Sequence, residues 1–171
     1  LIDFEQEIIQ PKVQKRNKSG KWSKGRNATL TKLAIGDIEE VTLQDKRIAN
    51  TLSQDFSWHG NGVYGFYDIG KSFKALVGHP LLFLHKSPEV ACEFQFGSPE
   101  LIIKEVEAGY EIEPSINISQ IGYTIFKETP TRYKFIEISS KQVQLHEALG
   151  GDKLFIPKKG KEILEKTLTS L

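Results

Sequence analysis

The sequence has 171 residues, of which 39% are hydrophobic and 26% are charged, and its formal net charge is +1. These values are typical of a globular domain of ordinary size and exclude a low-complexity chain. No apolar run approaches the roughly 18 residues of a membrane-spanning helix, so we expect no such helix in this sequence. The single cysteine, Cys92, cannot form an internal disulfide, so we expect a reducing, cytoplasmic location.

The first forty residues are predicted to form an N-terminal strand followed by a basic arm or hairpin. Residues 1–15 begin with an apolar, extended segment that Pro11 interrupts, and a run of cations follows. Residues 41–171 are predicted to form an α+β accessory domain, as one structural unit with residues 1–40. Because the sequence contains no methionine, we also expect it to be a piece of a longer protein.

Two capped helices are predicted next. Thr42 with Asp45 three residues later has the pattern of a capping box, in front of a helix that would bury Leu43, Ile48 and Leu52. The segment SQDFSWHGNGVYGFY, which is rich in glycine and aromatic residues, is predicted to be a loop. Asp68 is predicted to cap the second helix. The buried face of that helix would carry Ile69, Phe73, Leu76 and Val77, with Gly78 and Pro80 after its end.

From residue 90 onward the hydrophobic period changes from 3.6 to 2. Strands are predicted at the alternating segment that contains Val90, Cys92, Phe94 and Phe96, and at LIIKEV, YEIEPSINI, IGYTIF and RYKFIEI. Such alternation with short turns predicts an antiparallel meander that is buried on one side. Pro114 has no amide hydrogen for a sheet ladder, so its strand should be an edge strand or bulged there.

The last part of the chain is predicted to hold two helices. One begins near Ser140 and stops at Gly150–Gly151. The other begins at Pro157 and would dock on the sheet through Ile163, Leu164, Leu168 and Leu171. The predicted fold is therefore α+β, with an antiparallel meander of about five strands packed with roughly four helices.

Residues 65–72 read GFYDIGKS and satisfy the pattern G-x-x-x-x-G-K-[ST] of phosphate-binding loops. One hypothesis is therefore a small nucleotide-binding enzyme that uses Lys71 and Ser72. The context favours a structural helix instead, since no long apolar strand precedes the segment and Asp68 would place a carboxylate beside the phosphates. In that interpretation Lys71 and Ser72 point toward solvent.

The sequence predicts no metal site and no catalytic residue. His79, His85 and Cys92 are the closely grouped soft ligands, and their spacing fits no common zinc pattern. His79 lies between Gly78 and Pro80, which is typical of a turn residue. We see no nucleophile elbow and no paired-carboxylate signature.

The segment KVQKRNKSGKWSKGR carries the clearest sign of a binding function. Its seven cations have no acidic residue among them, Gly20 and Gly25 are predicted to keep the backbone flexible, and Trp22 offers a stacking surface. These properties suit nucleic-acid binding, and the alternative is a solvated hairpin loop. The predicted nucleic-acid-binding residues are Lys15, Arg16, Lys18, Lys21, Trp22, Lys24 and Arg26.

Six segments together resemble the region that precedes the motor in bacterial Swi/Snf-type helicases. They are SGKWSKGR, LQDKRIANTL, FKALVGHPLLFL, GSPELIIKEVEAGYEIEP, YKFIEISSKQVQLHEAL and FIPKKGKEILEKTL. The resemblance covers most of residues 15–171, and its motifs are a basic glycine-rich stretch, spaced leucines and an L-x-G-H-P turn. It implies that the site for ATP and magnesium lies in the motor domains of the parent protein, with no cofactor in this piece.

Three hypotheses for the function follow. The leading one is a non-catalytic accessory domain of a Swi/Snf-type ATP-dependent helicase or translocase. Its expected partners are nucleic acid, with DNA favoured over RNA, and the motor of the same chain. We expect no membrane partner. The second is the nucleotide-binding enzyme that uses Lys71 and Ser72. The third is a protein-interaction module that docks through the predicted edge strand at Pro114.

Overall fold

The computed structural model describes residues 1–21, 23–38, 41–59, 62–118, 120–148 and 153–169. Five α-helices lie in this part of the chain, and none of them is both long and apolar enough to cross a bilayer. The helices are α1 (Leu30–Ala34), α2 (Leu43–Ala49), α3 (Ile69–Leu76), α4 (Ser140–Ala148) and α5 (Lys161–Thr169). The strands are β1 (Ile2–Asp3), β2 (Ile8–Ile9), β3 (Lys12–Val13), β4 (Arg26–Asn27), β5 (Leu52–His59), β6 (Gly62–Tyr67), β7 (Phe83–Leu84), β8 (Ser87–Ala91), β9 (Glu93–Gly97), β10 (Leu101–Val106), β11 (Gly109–Pro114), β12 (Gly122–Thr129), β13 (Arg132–Ile138) and β14 (Leu154–Pro157).

The predicted α+β class is confirmed, but the strands are more numerous than predicted. In the described part of the chain they form five sheets, with the orders β2-β1-β7-β8, β10-β11-β14, β12-β13-β9, β3-β4 and β5-β6. The predicted single meander is therefore wrong. Its strands are divided among several small sheets, because strand partners come from distant parts of the sequence.

The chain divides into two compact units. The first consists of Leu1–Phe96 and Lys127–Phe135, and the second of Gly97–Phe126 and Ile136–Leu171. Residues 1–40, which include the predicted basic arm, thus belong to the same unit as residues 41–96.

The core of the first unit is a cluster of aromatic rings. The ring of Phe4 lies 5.7 Å from that of Phe73, 4.7 Å from Phe94 and 4.3 Å from Tyr133. Phe94 also meets Phe135 edge-on at 6.1 Å. Phe73 and Phe94 are buried almost completely, and aromatic pairs in such tilted and edge-on arrangements add to the stabilisation from burial.

Both predicted helix caps of the first unit are confirmed. Thr42 and Asp45 form the reciprocal hydrogen bonds of a capping box at α2, and the side chain of Asp68 accepts a hydrogen bond from the amide of Lys71 at α3. Gly78 follows α3 with φ +75°, as a helix-terminating glycine does. Caps are predictable because they depend on residues three or four positions apart.

Three predictions for the first unit are wrong. The segment predicted as a loop before α3 forms the antiparallel hairpin of β5 and β6. Leu43 is 77% exposed because it is the first residue of the short helix α2, which buries Ile48 instead, and Leu52 begins β5. Phe96 is 56% exposed near the end of β9, where its ring touches Phe135 edge-on.

The second unit contains the sheet β10-β11-β14 and the helices α4 and α5. Ile112 of β11 is buried, together with Ile118, Ile136 and Ile138. The helix predicted near Ser140 is confirmed, and Ser139 and Gln142 cap it through hydrogen bonds of 2.7 to 3.4 Å. The predicted end of that helix, at Gly150–Gly151, lies outside the described residues.

Of two predictions about prolines in the second unit, the one for Pro114 is wrong. The strand of Pro114 is the central strand β11, and Pro114 is its last residue, beyond the part that pairs with β14. Pro157 ends β14 opposite Gly109 and is the N-cap of the helical segment that begins at Lys158, so the predicted helix start is displaced by one residue. A short 3-10 turn follows, and α5 starts at Lys161 with Ile163 72% exposed, so Ile163 does not dock on a sheet. A proline at the end of a strand is tolerated there because no ladder bond is required of it.

Candidate nucleic-acid interface

The predicted basic arm is a closed β-hairpin between Pro11 and Ala28. Its two strands, β3 and β4, run antiparallel, with Lys12 opposite Asn27. At the base of the hairpin, the amide of Ala28 donates to the carbonyl of Pro11 at 3.0 Å. We call residues 11–28 the basic hairpin.

A one-residue bulge changes the register between the base and the tip of the basic hairpin. Val13 lies opposite Arg26, whereas farther out the amide of Ser23 donates to the carbonyl of Lys15 at 2.9 Å. Gly25 accommodates the extra residue with φ +79°, and a Cβ there would lie 3.3 Å from the carbonyl oxygen of Val13. A glycine in the left-handed region is what a bulge of this kind requires, and such bulges increase the twist of the hairpin.

Asn17 organises the turn at the tip of the basic hairpin. Its side-chain oxygen Oδ1 accepts hydrogen bonds from the amide of Ser19 at 3.1 Å, the hydroxyl of Ser19 at 2.8 Å and the amide of Lys21 at 2.8 Å. Gly20 closes the turn with φ +81°. Gly20 and the bulge glycine therefore satisfy positive-φ positions of a hydrogen-bonded hairpin, which corrects the prediction that they keep the arm flexible.

Side chains alternate between the two faces along each strand, and residues that lie opposite each other share a face. The register of the basic hairpin therefore places its cations on both faces. The first face carries Lys15, Lys21 and Arg26. The second face carries Lys12, Arg16 and Lys24, and Lys18 lies in the turn.

All seven cations are exposed. Within the described part of the chain, no ion pair joins a carboxylate to Lys15, Lys18, Lys21, Lys24 or Arg26. Their positive charge is therefore available to an outside partner. Arg16 donates from Nε to the carbonyl of Gly20 at 2.9 Å, which holds its guanidinium beside the turn.

The structure therefore brings six of the seven predicted site residues together on one hairpin. Trp22, the predicted stacking residue, lies outside the described residues. Sequence reasoning missed the polar residues that shape the hairpin: Asn17 at the turn, and Ser23, whose Oγ accepts from the amide of Lys15 at 3.0 Å. The segment Asn-Lys-Ser-Gly is typical of turns and could have indicated the first of them.

The segment that matches a phosphate-binding loop has a different geometry from such a loop. The segment begins within β6, which pairs antiparallel with β5 in a two-stranded sheet. Phosphate-binding loops follow a central strand and wrap phosphates with bare amides. Here the carboxylate of Asp68 accepts from the amide of Lys71 at 3.0 Å, in the position that a phosphate oxygen would take.

The side chains of this segment have structural partners. Lys71 is exposed as predicted, and its ammonium lies 3.5 Å from the carboxylate of Asp68. Ser72 was predicted to point toward solvent, but it is fully buried: its hydroxyl donates to the carbonyl of Asp68 at 2.9 Å and lies 2.6 Å from the hydroxyl of Thr51. The hydrogen bond from the Lys71 amide, supported by the Lys71 charge, holds the pKa of Asp68 below its ordinary value.

His79 has polar partners in the turn after α3. Nδ1 of His79 accepts from the amide of Leu81 at 3.1 Å, and its Nε2 lies 3.5 Å from the carboxylate of Asp45. Among the described residues, no group of three or more His, Cys, Asp or Glu side chains could hold a metal ion. His79 therefore serves the turn after α3.

A comparison with protein-family models, with curated proteins and with solved structures found no match to this chain.

Proposed function

We propose that this chain is a non-catalytic accessory domain that contacts nucleic acid through the basic hairpin. The observation that carries the proposal is the placement of the seven exposed cations on one closed ribbon. Lysine and arginine side chains that neutralise phosphates release condensed counterions, and this release supplies most of the affinity of sequence-independent binding. Exposed cations that are held close together on a hairpin suit that role.

The parent protein, in this proposal, is a Swi/Snf-type ATP-dependent DNA helicase or translocase of the cytoplasm. The resemblance of the six sequence segments supports this class. ATP and magnesium would then bind in the motor domains of the parent chain, and this piece would act beside the motor. DNA is the proposed nucleic acid, and the motor of the same chain is the proposed protein partner.

The proposal is tested by fluorescence anisotropy with a labelled 20-base-pair DNA at low salt. The variant Lys21→Ala, Lys24→Ala, Arg26→Ala removes three cations of the hairpin. Each phosphate contact contributes about −0.9 to the slope of log affinity against log salt. If the variant and the unmodified chain bind equally at 1 M salt, the loss of three contacts weakens binding at 0.1 M salt by roughly 500-fold.

A matched control removes the same charge elsewhere. Lys158, Lys159 and Lys166 are exposed residues of the second unit, and their triple substitution by alanine should leave the affinity within about twofold, since only contacts to phosphates enter the salt-dependent affinity. Equal losses in the two triple variants would show that overall charge, and not the hairpin, drives binding. No detectable binding by the unmodified chain would remove the proposal.

A further inference from the structure

We infer that the basic hairpin binds duplex DNA by inserting as a ribbon into the major groove, with its two cationic faces toward the two phosphate walls. This inference rests on the proposed function and names the form of nucleic acid that the hairpin takes. The cations are distributed over both faces of the hairpin, whereas a hairpin that docks flat on a partner needs cations on one face only.

The charge distribution is the first argument. Lys15, Lys21 and Arg26 project from one face of the hairpin, and Lys12 and Lys24 from the other. A ribbon that lies flat on a phosphate backbone would use one of these sets and leave the other in solvent. A ribbon between two rows of phosphates uses both.

The dimensions are the second argument. Sheets that pack face to face lie about 10 Å apart, which approximates the thickness of one β-layer with its side chains, and paired strands are about 4.8 Å apart. The major groove of B-form DNA is about 12 Å wide and about 8.5 Å deep, and it admits a two-stranded ribbon. The hairpin therefore fits with its thickness across the groove and its two strands stacked along the depth. The minor groove, about 6 Å wide, is too narrow for it.

The amide side chains near the tip of the hairpin are held by the hairpin itself. Amide side chains are the usual readers of adenine, but the two amides of the outer hairpin are engaged within it. Nε2 of Gln14 donates to the carbonyl of Ser23 at 3.1 Å, and Oδ1 of Asn17 accepts three hydrogen bonds in the turn. The cations remain, and those that face the phosphate walls and not the base edges carry no sequence information. The hairpin should therefore discriminate poorly among duplex sequences.

The test compares two variants that each remove two cations from one face, Lys15→Ala/Lys21→Ala and Lys12→Ala/Lys24→Ala. The dependence of log affinity on log salt is measured for each on the same duplex. If both faces contact phosphates, each variant flattens the slope by about 1.8. Loss confined to one variant would overturn the inference in favour of flat docking, while the proposed function would survive.

A second measurement uses the unmodified chain and so does not depend on how the variants fold. Methyl green, which occupies the major groove, should displace the chain from the duplex, and netropsin, which occupies the minor groove, should not. A single strand of the same length should bind more weakly than the duplex, and duplexes of different sequence should differ by less than about fivefold, the smallest discrimination that one bidentate base contact gives.

The possible outcomes distinguish groove insertion from nucleic-acid binding in general. Displacement by netropsin alone, or equal or tighter binding of the single strand, would overturn groove insertion while leaving nucleic-acid binding intact. The absence of binding to any duplex or single strand would remove the proposed function itself.

Discussion

The hydroxyl of Ser72 lies 2.6 Å from the hydroxyl of Thr51, in a site where Ser72 has no exposure to solvent. In a phosphate-binding loop the equivalent hydroxyl faces a magnesium ion. Here it joins α3 to the segment after α2, because the hydroxyl of Thr51 also lies 2.7 Å from the carbonyl of Ile48 in α2. The sequence match to a nucleotide-binding loop therefore coincides with a structural hydrogen-bond network.

The first prediction concerns Ser72 and Lys71. Ser72→Ala should lower the free energy of unfolding by roughly 1–3 kcal/mol, because it leaves buried hydrogen-bonding groups without a partner. Lys71→Ala, at an exposed position, should change it by less than about 0.5 kcal/mol. Urea denaturation measures both. Isothermal titration with ATP and magnesium should show no heat of binding, and micromolar binding that Lys71→Ala abolishes would contradict this account.

The second prediction concerns the cap of α3. Asp68→Ala should destabilise the chain by roughly 0.5–2 kcal/mol, and Asp68→Ser should restore most of that loss, because serine also accepts from the amide at this position. Urea denaturation of the two variants provides the measurement. Equal destabilisation by alanine and serine would show that the hydrogen bond at this position contributes nothing.

The carboxylate of Asp68 should also make the free energy of unfolding depend on pH. The folded pKa of Asp68 is lowered by the Lys71 amide, so its contribution is complete above the ordinary carboxylate value of about 4 and is lost as the pH falls through the folded value. Urea midpoints of the unmodified chain and of Asp68→Ser should therefore converge as the pH is lowered below about 4. A difference that stays constant over this range would contradict the assignment.

The third prediction separates the shape of the basic hairpin from its charge. Asn17→Ala removes no cation but breaks the three hydrogen bonds to Oδ1. Binding then has to order the turn, which should cost roughly two- to tenfold in affinity for DNA. Amide hydrogen exchange at Ser19 and Lys21 should accelerate in the same variant. Faster exchange without any loss of affinity would show that the turn does not matter for binding.

The fourth prediction concerns Cys92, which is 7% exposed. Burial raises the pKa of its thiol, and the thiolate is the reactive form. Iodoacetamide at pH 8 should therefore modify the folded chain much more slowly than the chain in concentrated urea. A Cys92→Ala variant provides the blank, and equal rates in the two solvents would show that Cys92 is accessible.

Local signals in the sequence predicted local structure well. The caps at Thr42 and Asp68 and the glycine after α3 were found because each depends on residues within one helical turn. The hairpin of β5 and β6 was missed because its glycines and aromatic residues read as a loop, and only pairing between the two segments shows the strands. Burial of Ser72 was missed for a similar reason, since its partner Thr51 is 21 residues away.

The candidate site was predictable in charge but not in shape. The run of lysines and arginines is visible in the sequence, and the structure places six of the seven predicted residues on one hairpin. The bulge at Gly25 and the distribution of cations over two faces depend on which residues of β3 and β4 lie opposite each other. That register is fixed by hydrogen bonds across the hairpin, and no single segment of the sequence encodes it.

The most direct test of the central claim is the salt dependence of binding between the unmodified chain and a 20-base-pair DNA. If about five of the seven hairpin cations neutralise phosphates, log affinity should fall with log salt at a slope of about −4.5, or about −3.5 for a single strand. A slope near zero, or no measurable affinity at low salt, would contradict a phosphate-binding hairpin.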